Sequence, residues 1–218
     1  MTRFTVMNLN FSLLQHNLTT NDKSLKNYIK DRIIHERPDI IFLQRVHQVN
    51  LASLIRDRDL YYSYYSRTTK RGFSAVMVNS RSFEIQILNR DHLKQGKPEE
   101  RRNVFNGISC IKLVNKTLGF QLYVASWQGN ILQSSLSGKD ILDESYLLTK
   151  LMKTVSGGSP WLIGGCFQDE NQNIESRFLV GMDGNSSKRL RVDQIKQTSD
   201  EDFMQNFPIV AHLSLLDQ

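Results

Sequence analysis

The residues of this chain best suited to chemistry fall in a few short stretches, and most are cations, amides or aromatics rather than carboxylates. Arg45 closes Asp39–Val46 (DIIFLQRV). Its planar guanidinium suits bidentate contact with a phosphate; an internal ion pair with Asp169 or Asp193 is the other reading of the same residue. Cys166 follows the apolar run Trp161–Ile163 within SPWLIGGCFQDE, and Gln168 lies two places on. A thiol beside a guanidinium would titrate low and react, whereas a small buried cysteine would do neither, which is the simpler reading. Tyr61–Tyr65, followed by Arg67, Lys70 and Arg71, interleaves rings with cations. Such a pattern, Tyr64 included, stacks bases and holds a single strand. A plain strand with half-buried tyrosines explains the same spacing and takes precedence. Arg101 and Arg102 could touch a phosphate backbone, but they sit in Asp91–Asn103, whose Gly96, Pro98 and mixed charge read first as a solvated loop. His47 and His92 read as exposed, and His212 as a hydrogen-bonded core histidine. Cys110 and Cys166 belong to no Cys-x-x-Cys or Cys/His pattern, so neither a disulfide framework nor a zinc site is expected.

The elements that must position these groups follow from apolar periodicity. Arg3–Phe11 reads as a strand with Phe4, Val6 and Asn8 on one face and Thr5, Met7 and Leu9 on the other. Asp22–Arg37 carries Leu25, Ile29 and Ile33 at helical spacing and stops at Pro38. Ile40–Leu43 is apolar throughout, as in a strand covered on both faces. A short helix is expected over Gln48–Asp59, then the tyrosine strand, then a hairpin turning at Asn79–Ser82. A second hairpin joins Phe105–Val114 to Gly119–Ser126, and Glu144–Val155 is an amphipathic helix with a glycine stop at Ser156–Ser159. Trp161–Ile163 reads as a buried strand ending in a tight turn at Gly164-Gly165. Gly129–Asp140 and Glu170–Lys188 show no pattern, and two strands close the chain, Leu190–Ile195 and Phe207–Leu215.

Composition sets the outer limits. At 218 residues, with 39% hydrophobic and 23% charged residues, the chain is expected to form one globular domain over residues 1–218. No apolar stretch approaches the roughly 20 residues of a membrane span, and MTRFTVMNLNF lacks the features of a signal peptide, so intracellular residence and no membrane partner are expected. The net charge of +6 favours phosphate-rich partners without marking a dedicated nucleic-acid binder.

Several stretches, taken in order, resemble the endonuclease/exonuclease/phosphatase superfamily, the DNase I-like fold. VMNLN is similar to its opening strand, and PDIIFLQ to its PDIIxLQE. KRGFSAVM is similar to its RG-x-A-x-L segment, FQLYVASW to its NTHL strand and WLIGGCFQ to its GDFN strand end. LRVDQI and FPIVAHLSL are similar to its RIDYI and SDHxPVxxxL strands. The resemblance implies a four-layer α/β sandwich, two mixed sheets face to face with helices outside. It also implies where the family's chemistry would lie. Asn10 and Asp193 match its opening-strand Asn and the Asp that orients its catalytic His. Arg45 stands where the family has a metal-binding Glu, Cys166 and Gln168 where it has Asp and Asn. Trp127 takes the place of a His, and Gln205 and Asn206 the places of the terminal Asp and His. A guanidinium repels the hard cation that a carboxylate would hold. The implied reading is therefore a pseudoenzyme that needs no cofactor and acts by binding a protein or the phosphates of a nucleic acid. The alternative is an active Mg²⁺-dependent phosphodiesterase or nuclease that uses displaced carboxylates, Asp169 and Glu170 being nearest. A third is a structural subunit whose cleft is filled by Trp127 and Arg45.

Overall fold

Ile40, Ile41, Phe42 and Leu43 are all fully buried, which requires cover on both faces of their strand. The computed structural model, which describes residues 2–10, 22–46, 60–65, 73–88, 108–127, 138–168, 174–181, 188–197 and 209–217, supplies that cover in layers. Its elements are β1 (Thr2–Asn10), α1 (Asp22–Glu36), β2 (Ile40–Val46), β3 (Tyr61–Tyr65), β4 (Phe73–Asn79), β5 (Phe83–Ile87), β6 (Ile108–Asn115), β7 (Gln121–Trp127), α2 (Gly138–Ser156), β8 (Trp161–Gln168), β9 (Ile174–Gly181), β10 (Lys188–Gln197) and β11 (Ile209–Asp217). One sheet has the order β10-β11-β1-β2-β4-β3 and the other β5-β6-β7-β8-β9. Each is antiparallel except for one parallel pair near its centre, β1 with β2 and β7 with β8.

Three apolar clusters fill the gaps between the layers. Ile29 and Ile33 of α1 meet Met7, Leu9, Ile41 and Leu43 on the outer face of the first sheet. Phe4, Val6, Ile40 and Phe42 face Leu113, Leu122, Val124 and Leu162 between the sheets. Leu148 and Met152 of α2 cover Ala125, Trp127, Ile163 and Phe167 on the outer face of the second sheet. This is the expected DNase I-like four-layer sandwich, and β1 divides its faces as its alternation predicts. Among the described residues no helix is long and apolar enough to cross a membrane.

Four local expectations need correcting. Asn79–Ser82 is not a hairpin turn, because β4 pairs with β2 and β3 while β5 pairs with β6 in the other sheet. Phe83 decides this: it is buried between the sheets, edge-on to Phe4 and Phe120. The arch is pinned by Asp39, whose carboxylate accepts from Ser82 Oγ at 2.6 Å and from the Thr5 N–H at 3.0 Å. Gly164-Gly165 is not a turn either; β8 runs through both residues. A Cβ on Gly164 would collide with the Phe42 ring, so this glycine lets the sheets approach. Turn glycines at positive φ are Gly119 between β6 and β7 and Gly157 and Gly158 after α2. α2 begins at Gly138, six residues before the apolar periodicity shows it. Finally, β9 lies within the stretch expected to be patternless, at the edge of its sheet. The hairpin of β6 and β7 forms as expected, its turn held by Asn115 Oδ1, which accepts from the Thr117 and Leu118 N–H groups. The short helix expected over Gln48–Asp59 lies outside the described residues.

Candidate functional site

The parallel pairs of the two sheets end at one rim. Asn10 pairs with Gln44 at the end of β1 and β2, Trp127 pairs with Gly165 at the end of β7, and β11 starts beside them with Ile209 opposite Asn8. Strand ends that converge in this way offer side chains from several elements to one ligand, the usual position for a site in α/β architecture.

Just beneath the rim a buried polar seam ties the sheets together. Asn8 Nδ2 donates to Gly165 O at 2.9 Å, and Gln44 Nε2 donates to Asn8 Oδ1 at 2.7 Å and to Ser126 Oγ at 3.1 Å. Ser126 Oγ in turn donates to Leu43 O at 2.8 Å. All three side chains are buried. A second inter-sheet contact joins Ser74 to Ser109, whose hydroxyl donates to Ser74 O at 2.6 Å. In a water-poor gap such bonds cost little to keep and ~1–3 kcal/mol each to leave half made. Gln44 Oε1 is buried with no donor among the described residues, so the seam is not fully satisfied. Sequence reading missed Asn8, Gln44 and Ser126. The available signal was an amide or hydroxyl at a position whose strand alternation points inward.

Arg45 follows the seam directly. Gln44 and Arg45 together oppose one residue of β4, between the pairs Leu43–Ala75 and Val46–Phe73, which makes a β-bulge. Arg45 takes φ 56°, a conformation L-residues rarely adopt, at a cost of ~1–3 kcal/mol. Arg45 is half-buried and interacts within the protein. A bulge re-aims a side chain that the alternation would otherwise have placed on a covered face.

Trp127 does not fill a cleft. It is fully buried on the outer face of the second sheet, beneath α2 with Leu148, Met152 and Phe167. Its Nε1–H has no acceptor among the described residues, so apolar packing, not hydrogen bonding, holds it. Asp193 is exposed in a bulge of β10 opposite Leu213 and His212, four residues before the strand ends at Gln197. At ~3.3 Å per residue that is about 13 Å back from the rim. Its carboxylate accepts from Ser214 Oγ and, at 2.6 Å, from Arg191 Nε. The Ser214 hydrogen bond is the largest influence and holds it below the usual carboxylate range; desolvation opposes it, and the hydrogen bond and charge of Arg191 and the charge of Arg3 add to the lowering. His212 is half-buried, with Nδ1 3.2 Å from Thr5 Oγ1. Tyr61 is buried and donates to Pro38 O at 2.7 Å, while its neighbour Tyr62 is exposed. Burial and the Asp39 charge push the Tyr61 phenol up to about 12. Burial likewise pushes the Cys110 thiol up to about 12 and leaves it unreactive.

The strand positions of Asn10, Tyr64, Cys166 and Gln168 are described, and all but Tyr64 stand at the rim. Arg67, Lys70, Arg71, Arg101, Arg102, Asp169, Glu170, Gln205 and Asn206 lie outside the described residues. Among the described residues no three of His, Cys, Asp or Glu come together as a metal would require. The described rim holds amides committed to the seam and the half-buried Arg45.

Known structures share this architecture. An endonuclease/exonuclease/phosphatase from Bacteroides vulgatus superposes with TM-score 0.70 and 12% identity, over 99% of this chain and 100% of that one. The D. rerio TDP2 structure complexed with single strand DNA product gives 0.66 at 10% identity, over 98% and 100%. The human Nocturnin catalytic domain with bound sulfate anion gives 0.59 at 13% identity, over 98% and 94%. The fold is DNase I-like. No family model and no curated protein matches the sequence. Within the DNase I-like frame, the PDIIFLQ resemblance falls on β2, and its final Gln is Gln44 of the seam.

Proposed function

We propose that this chain is a catalytically inactive relative of the DNase I-like enzymes, one that binds nucleic-acid phosphates at the rim without cleaving them. The observation that carries the reading is Arg45. It follows Gln44 at the end of β2, raised in a bulge, at the position that holds a metal-binding Glu in the family it resembles. Its guanidinium supplies the positive charge that a metal would otherwise supply, in a planar form that matches phosphate. The net charge of +6 favours the same partner. So does the TDP2 neighbour, whose structure holds single strand DNA product.

The test is fluorescence anisotropy of a single-stranded oligonucleotide at several salt concentrations. Binding is expected to weaken steeply with salt, as counterion release requires. Arg45→Glu is expected to cost about tenfold or more in affinity and to flatten the salt dependence. Equal binding by Arg45→Glu would remove the rim from the account, and absence of binding would turn attention to a protein partner. The second reading, a Mg²⁺-dependent phosphodiesterase, draws on one observation: in the sequence Asp169 and Glu170 come directly after Gln168, the last residue of β8. On that reading, changing either residue abolishes metal-dependent cleavage.

A further inference from the structure

The outer face of the first sheet is only partly covered. α1 packs over Met7, Leu9 and Val210, while the same faces of β1 and β11 continue into Arg3, Thr5, His212 and Ser214. There, far from the rim, a cavity of about 590 Å³ is bounded by β1, β10, β11 and the foot of β2, with Arg3, Thr5, Asp39, Asp193, Gln194 and His212 on its wall. That volume lies within the range of small-molecule sites.

The wall carries charges of both signs, but its acids are already committed. One Asp39 oxygen accepts from the Thr5 N–H and the other from Ser82 Oγ. One Asp193 oxygen accepts from Arg191 Nε and the other from Ser214 Oγ. The donors are in a different position. Arg3 is exposed and acts on Asp193 through space, with no ion pair to it among the described residues. His212 uses Nδ1 toward Thr5 Oγ1; if the Thr5 hydroxyl donates there, Nε2 carries the proton. Gln194 stands beside His212 in register and adds an amide. Among the described residues both carboxylates hold a donor on each oxygen and Arg191 offsets the charge of Asp193, so the groups left to a ligand are the Arg3 guanidinium, His212 Nε2 and the Gln194 amide, a set that suits an anion.

We propose that this cavity binds a small oxyanion, a carboxylate or the phosphate of a small molecule, with Arg3 as the bidentate clamp and His212 Nε2 and Gln194 as the further donors. The site is separate from the rim and does not depend on the function proposed there.

The experiment follows the His212 ring resonances, assigned with His212→Gln, as inorganic phosphate or acetate is titrated into the full chain at constant ionic strength. A saturable shift with either anion is expected, and whichever anion saturates first distinguishes phosphate from carboxylate. Arg3→Ala is expected to weaken binding about tenfold, with Arg3→Lys intermediate because it keeps the charge and loses the fork. Arg45→Ala is expected to leave the isotherm unchanged, which separates this cavity from the rim. Circular dichroism of each variant confirms that the fold is kept. The proposal fails if neither anion produces a saturable shift, if Arg3→Ala binds as tightly as the parent chain, or if Arg45→Ala abolishes the effect.

Discussion

Single residues at the strand ends already divide into those that hold the two sheets together and those that do not. Asn8 belongs to the first kind: its amide bridges the Gln44 side chain and the Gly165 carbonyl across the sheet gap. Asn8→Ala strands both partners and is expected to cost ~2 kcal/mol, a fall of about 4–8 °C in Tm for a chain of this size. A scanning calorimetry trace unchanged from the parent would contradict that. Tyr61 makes a prediction about pH. Its phenol is held neutral up to about 12, so the folded state keeps a proton that the unfolded state releases near pH 10. The associated stability is complete below about pH 10 and is lost as pH rises from there toward 12. Tyr61→Phe removes the bond to Pro38 O and is expected to flatten this alkaline limb in urea midpoints measured from pH 9 to 12. The seam residues were hard to read in the sequence. An inward amide in VMNLN is the same letter as an outward one, and only the packing of the opposite sheet shows that it has a partner.

At the scale of elements, the sequence was legible wherever burial on both faces leaves an unbroken apolar run. β2 and the first half of β8 declare themselves this way. β9 does not: apart from Ile174 its apolar residues, Phe178, Leu179 and Val180, sit in the second half of the strand, after the polar run 175–177. Turn chemistry is likewise ambiguous. Asn79–Ser82 carries the residues of a tight turn, and such a turn serves a hairpin and an arch between sheets equally well. Phe83 and Asp39 settle the matter through contacts far away in sequence. Gly164 shows the same limit, since a glycine reserved for close approach looks like one reserved for a bend. Gly164→Ala drives a methyl group into Phe42 and is expected to destabilise by about 3 kcal/mol, with the companion change Phe42→Leu recovering part of it. Equal denaturant midpoints for Gly164→Ala and the parent would show that the sheets have room there.

At the scale of the whole molecule, four layers bring the ends of two parallel strand pairs to one rim, and the solved structures that share this fold at 10–13% identity show that the architecture tolerates wide sequence change. The fold was therefore legible from motifs in order, because the motifs are the strands that build the rim. The site was only partly legible. Letters that match or break a motif show which residue type stands at a position, while Trp127 turned away beneath α2 and Asp193 set back along β10 follow from register and packing. On the proposed function Arg45 stands in for a metal as the rim's positive charge. Calorimetric titration of the purified chain with Mg²⁺ and Mn²⁺, paired with a cleavage assay on single- and double-stranded DNA and RNA, tests this. No metal binding at millimolar concentrations and no cleavage are expected. Metal-dependent cleavage that is lost on Asp169→Asn or Glu170→Gln would contradict this reading and assign the rim to a rebuilt active site.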